Sequence, residues 1–332
     1  MKYFYLLICY VSCFTLQLHA HDLKIFQINI WNELSVVERG DTAFLNEINR
    51  LDPEIVLICE IRTNEFISSF AEELRKKGKN YYGVSHADVG ILSKYEITES
   101  KALPDVQTVL KACLNIKGEK VIVYSAHLDY THYACYLPRG YDGVTWKKLD
   151  APATDIRNIE KANKESLRDE AIQAVIIDAK QEQGKLILLG GDFNEPSHLD
   201  WQKDTKDHWD HHGTIVNWDC SFMLSQAGFK DAYRTKYPNP LTHPGFTYPA
   251  NNTNTTLDKL DWVPEADGRD RIDFIYYKPT VKNLLKDVTI VGPAGSIVYN
   301  KRTQEPIEEH LITPLGVWPS DHRGILATFT LE

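Results

Sequence analysis

Beyond its first twenty residues, the sequence has no apolar run that approaches the ~20 residues a membrane-spanning helix needs. It also lacks internal repeats, low-complexity segments and any linker rich in Pro, Gly or Ser. Its 332 residues are long enough for two ordinary domains, but without a linker they equally suit one large α/β domain. With 43% hydrophobic residues, the chain has ample apolar material for a large core.

An excess of basic residues is also missing. The chain has 37 Lys and Arg against 46 Asp and Glu, a formal net charge of -9 at pH 7. Such an acidic chain lacks the broad basic field that drives sequence-independent binding to duplexes. Nucleic acid is therefore not favoured as a substrate, although a local basic groove and a bound metal ion would offset the overall charge.

The sequence contains no CxxC pair of the zinc-binding type. Two of its six cysteines fall within the first twenty residues, and the other four are Cys59, Cys113, Cys135 and Cys220. Two alternatives are open for these four: a Cys135–Cys220 disulfide, which an exported compartment permits, or four unpaired thiols.

The N-terminus has the pattern of an export signal. Lys2 supplies a positive start, residues 3–18 are almost wholly apolar, and Ala20 is the small residue that precedes a typical cleavage site. The alternative is a buried N-terminal strand. We predict a signal peptide over residues 1–20, a mature protein that begins near His21, and a secreted or periplasmic location.

Short apolar runs alternate with helical patterns in the rest of the chain. The pattern predicts helices over 41–51, 65–77 and the segment before Gly184. It predicts strands over 23–30, 54–59, 121–126, 185–191, 272–277, 288–291 and 324–330. Because several of these strands are apolar at every position, we expect sheets that are covered on both faces.

Two long segments break this rhythm, residues 128–163 and 196–270. Long irregular segments in a compact domain are usually either functional or disordered, and the aromatic content of both segments argues against disorder. We therefore predict that they are loop insertions close to a functional site.

Polar residues stand at the ends of many of the predicted strands. These residues are Asn29, Glu60, His127, Asp192, Asn194, Asp273, Asp321 and His322. A single polar residue at a strand end is usually a solvated boundary. Together, however, they supply the carboxylates, amides and histidines of a site that binds a hard cation and performs acid–base chemistry.

The motifs around these residues resemble those of the endonuclease/exonuclease/phosphatase superfamily. They are, in order along the chain, QINIWNE, EIVLICE, VGILSK, VYSAHLD, LGGDFNEP, DRIDFIYY and WPSDHRG. The resemblance implies one DNase I-like domain over residues 21–332, a four-layer α/β sandwich of two facing mixed β-sheets flanked by helices. It also implies hydrolysis of phosphodiesters or phosphomonoesters with Mg²⁺.

The resemblance implies a role for each matching residue at the metal. Glu60 corresponds to the principal metal ligand, and Asn29 and Asp321 correspond to the residues that assist it. Mg²⁺ prefers oxygen ligands and retains several waters, so one or two carboxylates suffice. Mg²⁺ is the expected ion, with Mn²⁺ or Ca²⁺ as alternatives.

The resemblance also implies the catalytic roles. Asp192 would orient or deprotonate the attacking water, and Asn194 would bind the phosphoryl oxygens. His322, paired with Asp273, would contact the scissile phosphate, while His127 would stabilise developing charge or protonate the leaving oxygen. No serine or cysteine nucleophile with a partnering base is evident, so we expect direct attack by water.

The chain departs from nuclease members of the superfamily at three places. Cys59 stands where many abasic-site enzymes have Gln, and His127 stands where they have Tyr. The insertion 128–163 matches no DNA-contacting loop of a nuclease. Aromatic residues of that insertion offer flat faces for a sugar or acyl group, and Arg139 offers a fork for phosphate. The aromatic residues are Tyr130, Tyr133, Tyr136, Tyr141 and Trp146. The alternative is that these residues only pack the insertion onto the body of the protein.

We therefore predict an exported, monomeric, Mg²⁺-dependent phosphodiesterase that acts on a small, sugar-linked or lipid-linked phosphoester. The alternatives are a secreted nuclease, a phosphomonoesterase and a binding module without catalytic activity.

Overall fold

Two β-sheets carry most of the regular structure in the computed structural model, which describes residues 21–104, 106, 108–280, 283–304 and 309–331. The strands are β1 (His21–Asn29), β2 (Ile55–Cys59), β3 (Tyr82–His86), β4 (Val89–Ser93), β5 (Ile97–Ala102), β6 (Val109–Ile116), β7 (Glu119–His127), β8 (Ile187–Asp192), β9 (Lys230–Asp231), β10 (Asp273–Lys278), β11 (Asn283–Val291), β12 (Ser296–Val298), β13 (Lys301–Thr303), β14 (Leu311–Ile312) and β15 (Gly324–Leu331). The α-helices are α1 (Gly40–Leu51), α2 (Phe66–Lys76), α3 (Ile156–Asn163), α4 (Arg168–Ala179), α5 (Asp219–Gln226) and α6 (Ala232–Lys236).

Both large sheets are mixed. The first has the strand order β14-β11-β15-β1-β2-β4-β3, with β1 parallel to β2 and antiparallel to β15. The second has the order β5-β6-β7-β8-β10-β9, with β7 parallel to β8 and β8 antiparallel to β10. The sheets face each other through contacts of β1 with β8 and of β2 with β7.

The continuous apolar runs follow from burial of both faces of each sheet. In β2, Ile55 and Leu57 belong to the core between the sheets, while Val56 and Ile58 pack on the outer side with residues of α1 and α2. The second sheet is covered in the same way, because residues of α4 and α5 pack with outward-facing side chains of β7. Helix, sheet, sheet and helix form four layers, which confirms the predicted fold class.

The irregular segments contain more structure than the sequence pattern indicated. Segment 128–163 contains α3, which begins where the Asp155 side chain accepts the N–H groups of Arg157 and Asn158. Segment 196–270 contains α5, β9 and α6. The two segments share an apolar cluster that includes Tyr136 and Trp201, so tertiary packing gives them order that local periodicity does not.

The cysteines correct one expectation. Cys59, Cys113, Cys135 and Cys220 are all free and buried. Cys135 packs in the cluster of the irregular segments, whereas Cys220 packs beneath the second sheet, so the two thiols occupy different apolar environments. The Cys135–Cys220 disulfide is therefore wrong.

The predicted signal peptide, residues 1–20, lies outside the described residues. Within the described ranges, every helix is too short or too polar to cross a bilayer.

Candidate active site

The polar residues at the strand ends lie together at one end of the two sheets. His127 ends β7 opposite Asp192 at the end of β8, and Asp192 in turn lies opposite Asp273 at the start of β10. In the first sheet, β1 ends at Asn29, which is paired with Cys59, the residue before Glu60. The parallel pairs β1–β2 and β7–β8 thus bring their carboxyl ends to one cavity.

A glycine allows the close approach of β7 and β8 at this point. A Cβ on Gly191 would lie 1.8 Å from the carbonyl oxygen of Ala126, a separation that no side chain tolerates. The Gly residue before Asp192 therefore places this carboxylate directly beside the end of β7.

Asp192 lies between two imidazoles. Nε2 of His322 is 3.7 Å and Nε2 of His127 is 3.9 Å from its Oδ2 atom. The same oxygen accepts a hydrogen bond from the Asn29 amide at 2.9 Å, and Oδ1 accepts the N–H of Asn194 at 2.9 Å. Burial raises the pKa of Asp192, against the opposing charge of His322. A buried carboxylate of raised pKa is suited to accept a proton from water.

His322 is held in place by a chain of buried groups. Its Nδ1 atom lies 2.8 Å from Asp273 Oδ2, and Asp273 Oδ1 accepts a 3.0 Å hydrogen bond from Nε2 of Gln27. Burial lowers the pKa of His322, but the negative charges of Asp273 and Asp192 outweigh it and raise the pKa well above its usual value. The amide nitrogen of Gln27 faces Asp273, because the opposite orientation would bring an amide oxygen against a carboxylate oxygen. The amide oxygen of Gln27 is buried without a hydrogen-bond partner.

His127 has a partner that the sequence analysis missed. Its Nδ1 atom lies 2.5 Å from Oδ2 of Asp88, in the turn between β3 and β4, so Nε2 is directed to Asp192 and the cavity. Burial lowers the pKa of His127, but the hydrogen bond to Asp88 and the charge of Asp192 raise it to about 9. The site therefore contains two histidine–carboxylate pairs, His127 with Asp88 and His322 with Asp273.

Glu60, Asn29 and Asp321 form an acidic corner beside these pairs. The Glu60 carboxylate accepts the amide nitrogen of Asn29 at 2.9 Å and the N–H of Asn32 at 2.6 Å. The oxygen of the Asn29 amide accepts the N–H of Trp31 at 2.9 Å. Asn29 thus orients Glu60 and Asp192 and turns its nitrogen to them. The role of Asn29 in assisting Glu60 at the metal stays a prediction.

Asn194 connects the catalytic groups to the first irregular segment. Its side-chain nitrogen donates to the carbonyl oxygen of Leu128 at 3.0 Å, and its oxygen accepts the hydroxyl of Tyr133 at 3.2 Å. Because the amide nitrogen carries a second hydrogen, it keeps one donor for a phosphoryl oxygen.

The cavity has a volume of 510 Å³, and seven of the described residues that line it are Trp or Tyr. Four of the predicted aromatic residues line it, Tyr130, Tyr133, Tyr136 and Trp146, whereas Tyr141 packs in the apolar cluster of the irregular segments. Three rings that were not predicted also line it, Trp31, Tyr248 and Trp262. Trp262 belongs to segment 196–270, so both irregular segments contribute to the wall, as expected.

Arg139 does not take part in this cavity, and its predicted role is wrong. Its side chain is fully buried, its guanidinium pairs with the carboxylate of Asp270, and it also donates to the carbonyl oxygen of Arg269 at 3.0 Å. The planar fork that was expected to hold phosphate holds the two irregular segments together instead.

A model of the Endonuclease/Exonuclease/phosphatase family matches residues 26–322. The chain belongs to this family. Members of the Endonuclease/Exonuclease/phosphatase family are metal-dependent phosphoester hydrolases, and the enzyme class predicted from the sequence is thereby confirmed.

The chain is also similar to individual proteins. A Caenorhabditis elegans protein, the uncharacterized protein F14F9.5, is 25% identical over 324 residues, which cover 94% of this chain and 92% of its own. D. rerio TDP2 complexed with a single-strand DNA product has a TM-score of 0.52 at 17% identity, covering 93% of this chain and 98% of its own. The human Nocturnin catalytic domain with bound sulfate has a TM-score of 0.53 at 14% identity, covering 94% and 95%. At these identities the two solved structures share the fold.

The acidic corner fits the divalent metal ion on which the family depends. Burial and the negative charge of Glu60 raise the pKa of Asp321 to about 7, although the charge of His322 opposes this shift. A divalent cation held by Glu60 and Asp321 would offset the repulsion between these carboxylates. All the donors are oxygen atoms, the ligands that Mg²⁺, Mn²⁺ and Ca²⁺ prefer.

A second group of metal-binding types lies nearby. Ligand atoms of Asp192, Asp273 and His322 all fall within 4.8 Å of one another. Nδ1 of His322 already faces Asp273, so this group is better described as a histidine–carboxylate pair beside a proton acceptor. Glu60 and Asp321 therefore remain the predicted ligands.

The first prediction concerns Asp88. Asp88→Asn removes the charge that faces Nδ1 of His127, so the pKa of this histidine should fall from about 9 while the charges of Asp192 and Glu60 remain. If protonated His127 acts on the leaving group, activity is lost as the pH rises through its pKa. The alkaline limb of the kcat profile should move to lower pH, with kcat reduced about tenfold at neutral pH. A pH–rate profile identical to that of the wild type would contradict this role of Asp88.

The second prediction follows from the position of Arg139. Arg139→Met leaves the Asp270 carboxylate buried without its cation, which should lower the free energy of unfolding by about 3–5 kcal/mol while KM stays unchanged. Urea denaturation and steady-state kinetics measure the two effects. Arg157→Met is the control, because its side chain is 91% exposed and its pair with Asp155 should contribute little. A raised KM at unchanged stability would restore the substrate role of Arg139.

Proposed function

We propose that the protein is an exported, Mg²⁺-dependent phosphodiesterase that acts on a small, sugar-linked or lipid-linked phosphoester by direct attack of water. The observation that carries the proposal is the convergence of two histidine Nε2 atoms on the Asp192 carboxylate, 3.7 and 3.9 Å from it, beside an acidic corner. A proton acceptor, a proton donor, a hydrogen-bond donor to the phosphoryl group and a cation site are the groups that such hydrolysis requires.

Each group has a role in this reaction. Asp192 accepts a proton from water as the water oxygen bonds to phosphorus. The bond from phosphorus to the leaving oxygen breaks, and His127 donates its proton to that oxygen. His322, fixed by Asp273, donates a hydrogen bond to a non-bridging oxygen, as does Asn194. Glu60 and Asp321 would hold the metal ion, which would neutralise charge on the phosphoryl group.

The size and charge of the cavity support a small substrate. A volume of 510 Å³ is within the range of sites for small molecules. Arg62 is the one Lys or Arg among the described residues that line it. A duplex would need a longer basic track to bind its phosphates.

A nuclease is the second candidate, favoured by one observation. D. rerio TDP2, which shares the fold, was solved in complex with a single-strand DNA product. A single strand could lay its bases on the aromatic wall, because bases stack on such rings without sequence preference.

The decisive experiment compares substrates under identical conditions. The purified enzyme is assayed on methyl p-nitrophenyl phosphate, p-nitrophenyl phosphate, lipid-linked and sugar-linked phosphodiesters, single-stranded DNA and plasmid DNA, each with Mg²⁺ and with EDTA. We expect small or lipid-linked diesters to give the highest kcat/KM and EDTA to abolish turnover. Preferred cleavage of DNA would establish the nuclease, and preferred cleavage of the monoester would establish a phosphomonoesterase.

Export is proposed from the N-terminal sequence, with its Lys2, its apolar run and Ala20. Expression of the full chain with a C-terminal tag, followed by N-terminal sequencing of the tagged protein from the medium or periplasm, tests it. A mature N-terminus near His21 is expected. Retention of Met1 on an intracellular protein would overturn this part of the proposal.

A further inference from the structure

Five rings from the two irregular segments form what we call the aromatic subsite: Tyr130, Tyr133, Tyr136, Trp146 and Trp262. Trp146 is at its centre, with ring centroids 5.6 Å from Tyr133 and Tyr136 and 5.7 Å from Trp262. Tyr133 and Tyr136 are almost fully buried and form the back of the subsite. Tyr130 and Trp262 stand at the rim, 64% and 53% exposed.

Packing alone does not account for the rim. Trp201 and Trp218 belong to the same apolar cluster and are 0% and 1% exposed, as expected of rings that only stabilise the loops. Trp262 instead leaves half of its surface in water at the mouth of the catalytic cavity. Exposed aromatic surface in such a place is typical of ligand binding.

The orientation of the rings indicates the shape of the ligand. The plane of Trp146 is inclined by 45° to Tyr133, by 70° to Tyr136 and by 41° to Trp262. A flat ligand such as a base is held best between parallel rings. Inclined rings form a concave wall that suits a compact, rounded group.

The surrounding charges indicate the sign of the charge on the ligand. Glu60, Asp88, Asp192 and Asp321 line the cavity together with Arg62 and the two histidines. The histidines face Asp88 and Asp192 at the catalytic end of the cavity. Asp261, next to Trp262 in the chain, accepts the backbone N–H groups of Val263 and Asn300. Aromatic faces carry partial negative charge, so these surroundings attract an organic cation and repel a second anionic group.

We propose that the aromatic subsite binds an organic cation that is part of the substrate. The cation is a quaternary ammonium group on an alcohol that is esterified to the phosphate. The phosphate of the same molecule lies at Asp192, so the inference rests on the proposed function for that half of the ligand. Trp262, Trp146 and Tyr130 contact the cation, and Tyr133 connects the subsite to the catalytic groups through Asn194.

The test compares phosphate esters that differ in one feature. Phosphorylcholine, its uncharged isostere 3,3-dimethylbutyl phosphate, and thymidine 5′-monophosphate compete with methyl p-nitrophenyl phosphate on the Mg²⁺-loaded enzyme. Phosphorylcholine should have an inhibition constant about tenfold lower than that of the isostere, because the two share shape and differ in charge. Equal constants would overturn the cation, and tightest binding of the thymidine ester would show a subsite for flat rings.

Variants test whether the preference for phosphorylcholine depends on the aromatic subsite. Trp262→Ala should reduce the tenfold preference to about twofold, while Trp262→Phe should retain part of the preference. Tyr82→Ala is the matched control, because Tyr82 is also 53% exposed but lies on β3 away from the cavity. An unchanged preference in Trp262→Ala would overturn the assignment of the subsite.

Choline alone, titrated calorimetrically into the Mg²⁺-loaded enzyme, separates this inference from the proposed function. Choline binding that Trp262→Ala weakens, without hydrolysis of any phosphodiester, would support the subsite and overturn the proposed function. Hydrolysis without choline binding and without a preference for phosphorylcholine would overturn the subsite alone.

Discussion

Glu60→Gln is expected to abolish phosphoester hydrolysis at ordinary Mg²⁺ concentrations and to leave the fold intact. The carboxylate is held by the Asn29 amide and the N–H of Asn32, and both donate to it. A glutamine has one oxygen for these two donors and lacks the charge that binds a divalent ion. We expect kcat/KM to fall by about three orders of magnitude, since metal stabilisation of the transition state amounts to several kcal/mol.

Activity measured over a range of Mg²⁺ concentrations distinguishes lost metal affinity from misfolding. Glu60→Gln should regain part of its activity at high Mg²⁺ and melt at the temperature of the wild type. Glu38→Gln is the control, because Glu38 is exposed in the loop between β1 and α1, and this variant should behave as wild type. A Glu60→Gln enzyme that retains full activity, together with a wild-type enzyme indifferent to EDTA, would remove the metal from the reaction.

The fold could be predicted because its strands have a strong local signal. In β2 the apolar residues contact the inter-sheet core and the outer helices in alternation, so both faces exclude water and every position is apolar. The site was visible for a related reason. Asn29, Glu60, His127 and Asp192 each end such a run, and an abrupt change from buried to polar residues is a feature of the sequence itself.

Residues outside the strand ends gave no comparable signal. Asp88 lies in a turn, where a carboxylate usually faces solvent, and only the fold brings it to His127, 39 residues away. Gln27 stands within an apolar strand, and its partner Asp273 is 246 residues distant. Such pairings depend on the register between strands, and local periodicity does not specify the register of segments that are far apart in the chain.

Composition indicated the function of the insertion but not the role of each residue in it. Arg139 and Trp146 were both plausible ligands for a substrate. The structure separates them, because Asp270 from the other irregular segment captures the guanidinium of Arg139 while Trp146 faces the cavity. A buried acidic partner 131 residues away decides whether the arginine binds substrate or the protein itself.

Asp192→Asn and His322→Ala should each lower kcat by about 10³–10⁴-fold, and the double variant should lose little more than either single variant. Asp192 accepts the proton of the attacking water, and His322 binds the phosphoryl group that this water attacks. The two side chains act in one transition state, with Nε2 of His322 3.7 Å from the Asp192 carboxylate. Removing either residue therefore removes most of what the other contributes.

The free energies of a double-mutant cycle, from kcat of the four enzymes on methyl p-nitrophenyl phosphate, measure this coupling. Because His322→Ala leaves the buried Asp273 carboxylate without its imidazole, His322→Gln, which retains a donor, is assayed beside it. His198→Ala is the control, since His198 is also buried, with its Nδ1 atom 2.8 Å from the Ser221 hydroxyl, but lies outside the cavity. Additive losses would mean that Asp192 and His322 serve separate steps, and wild-type turnover in either single variant would exclude that residue from the chemistry.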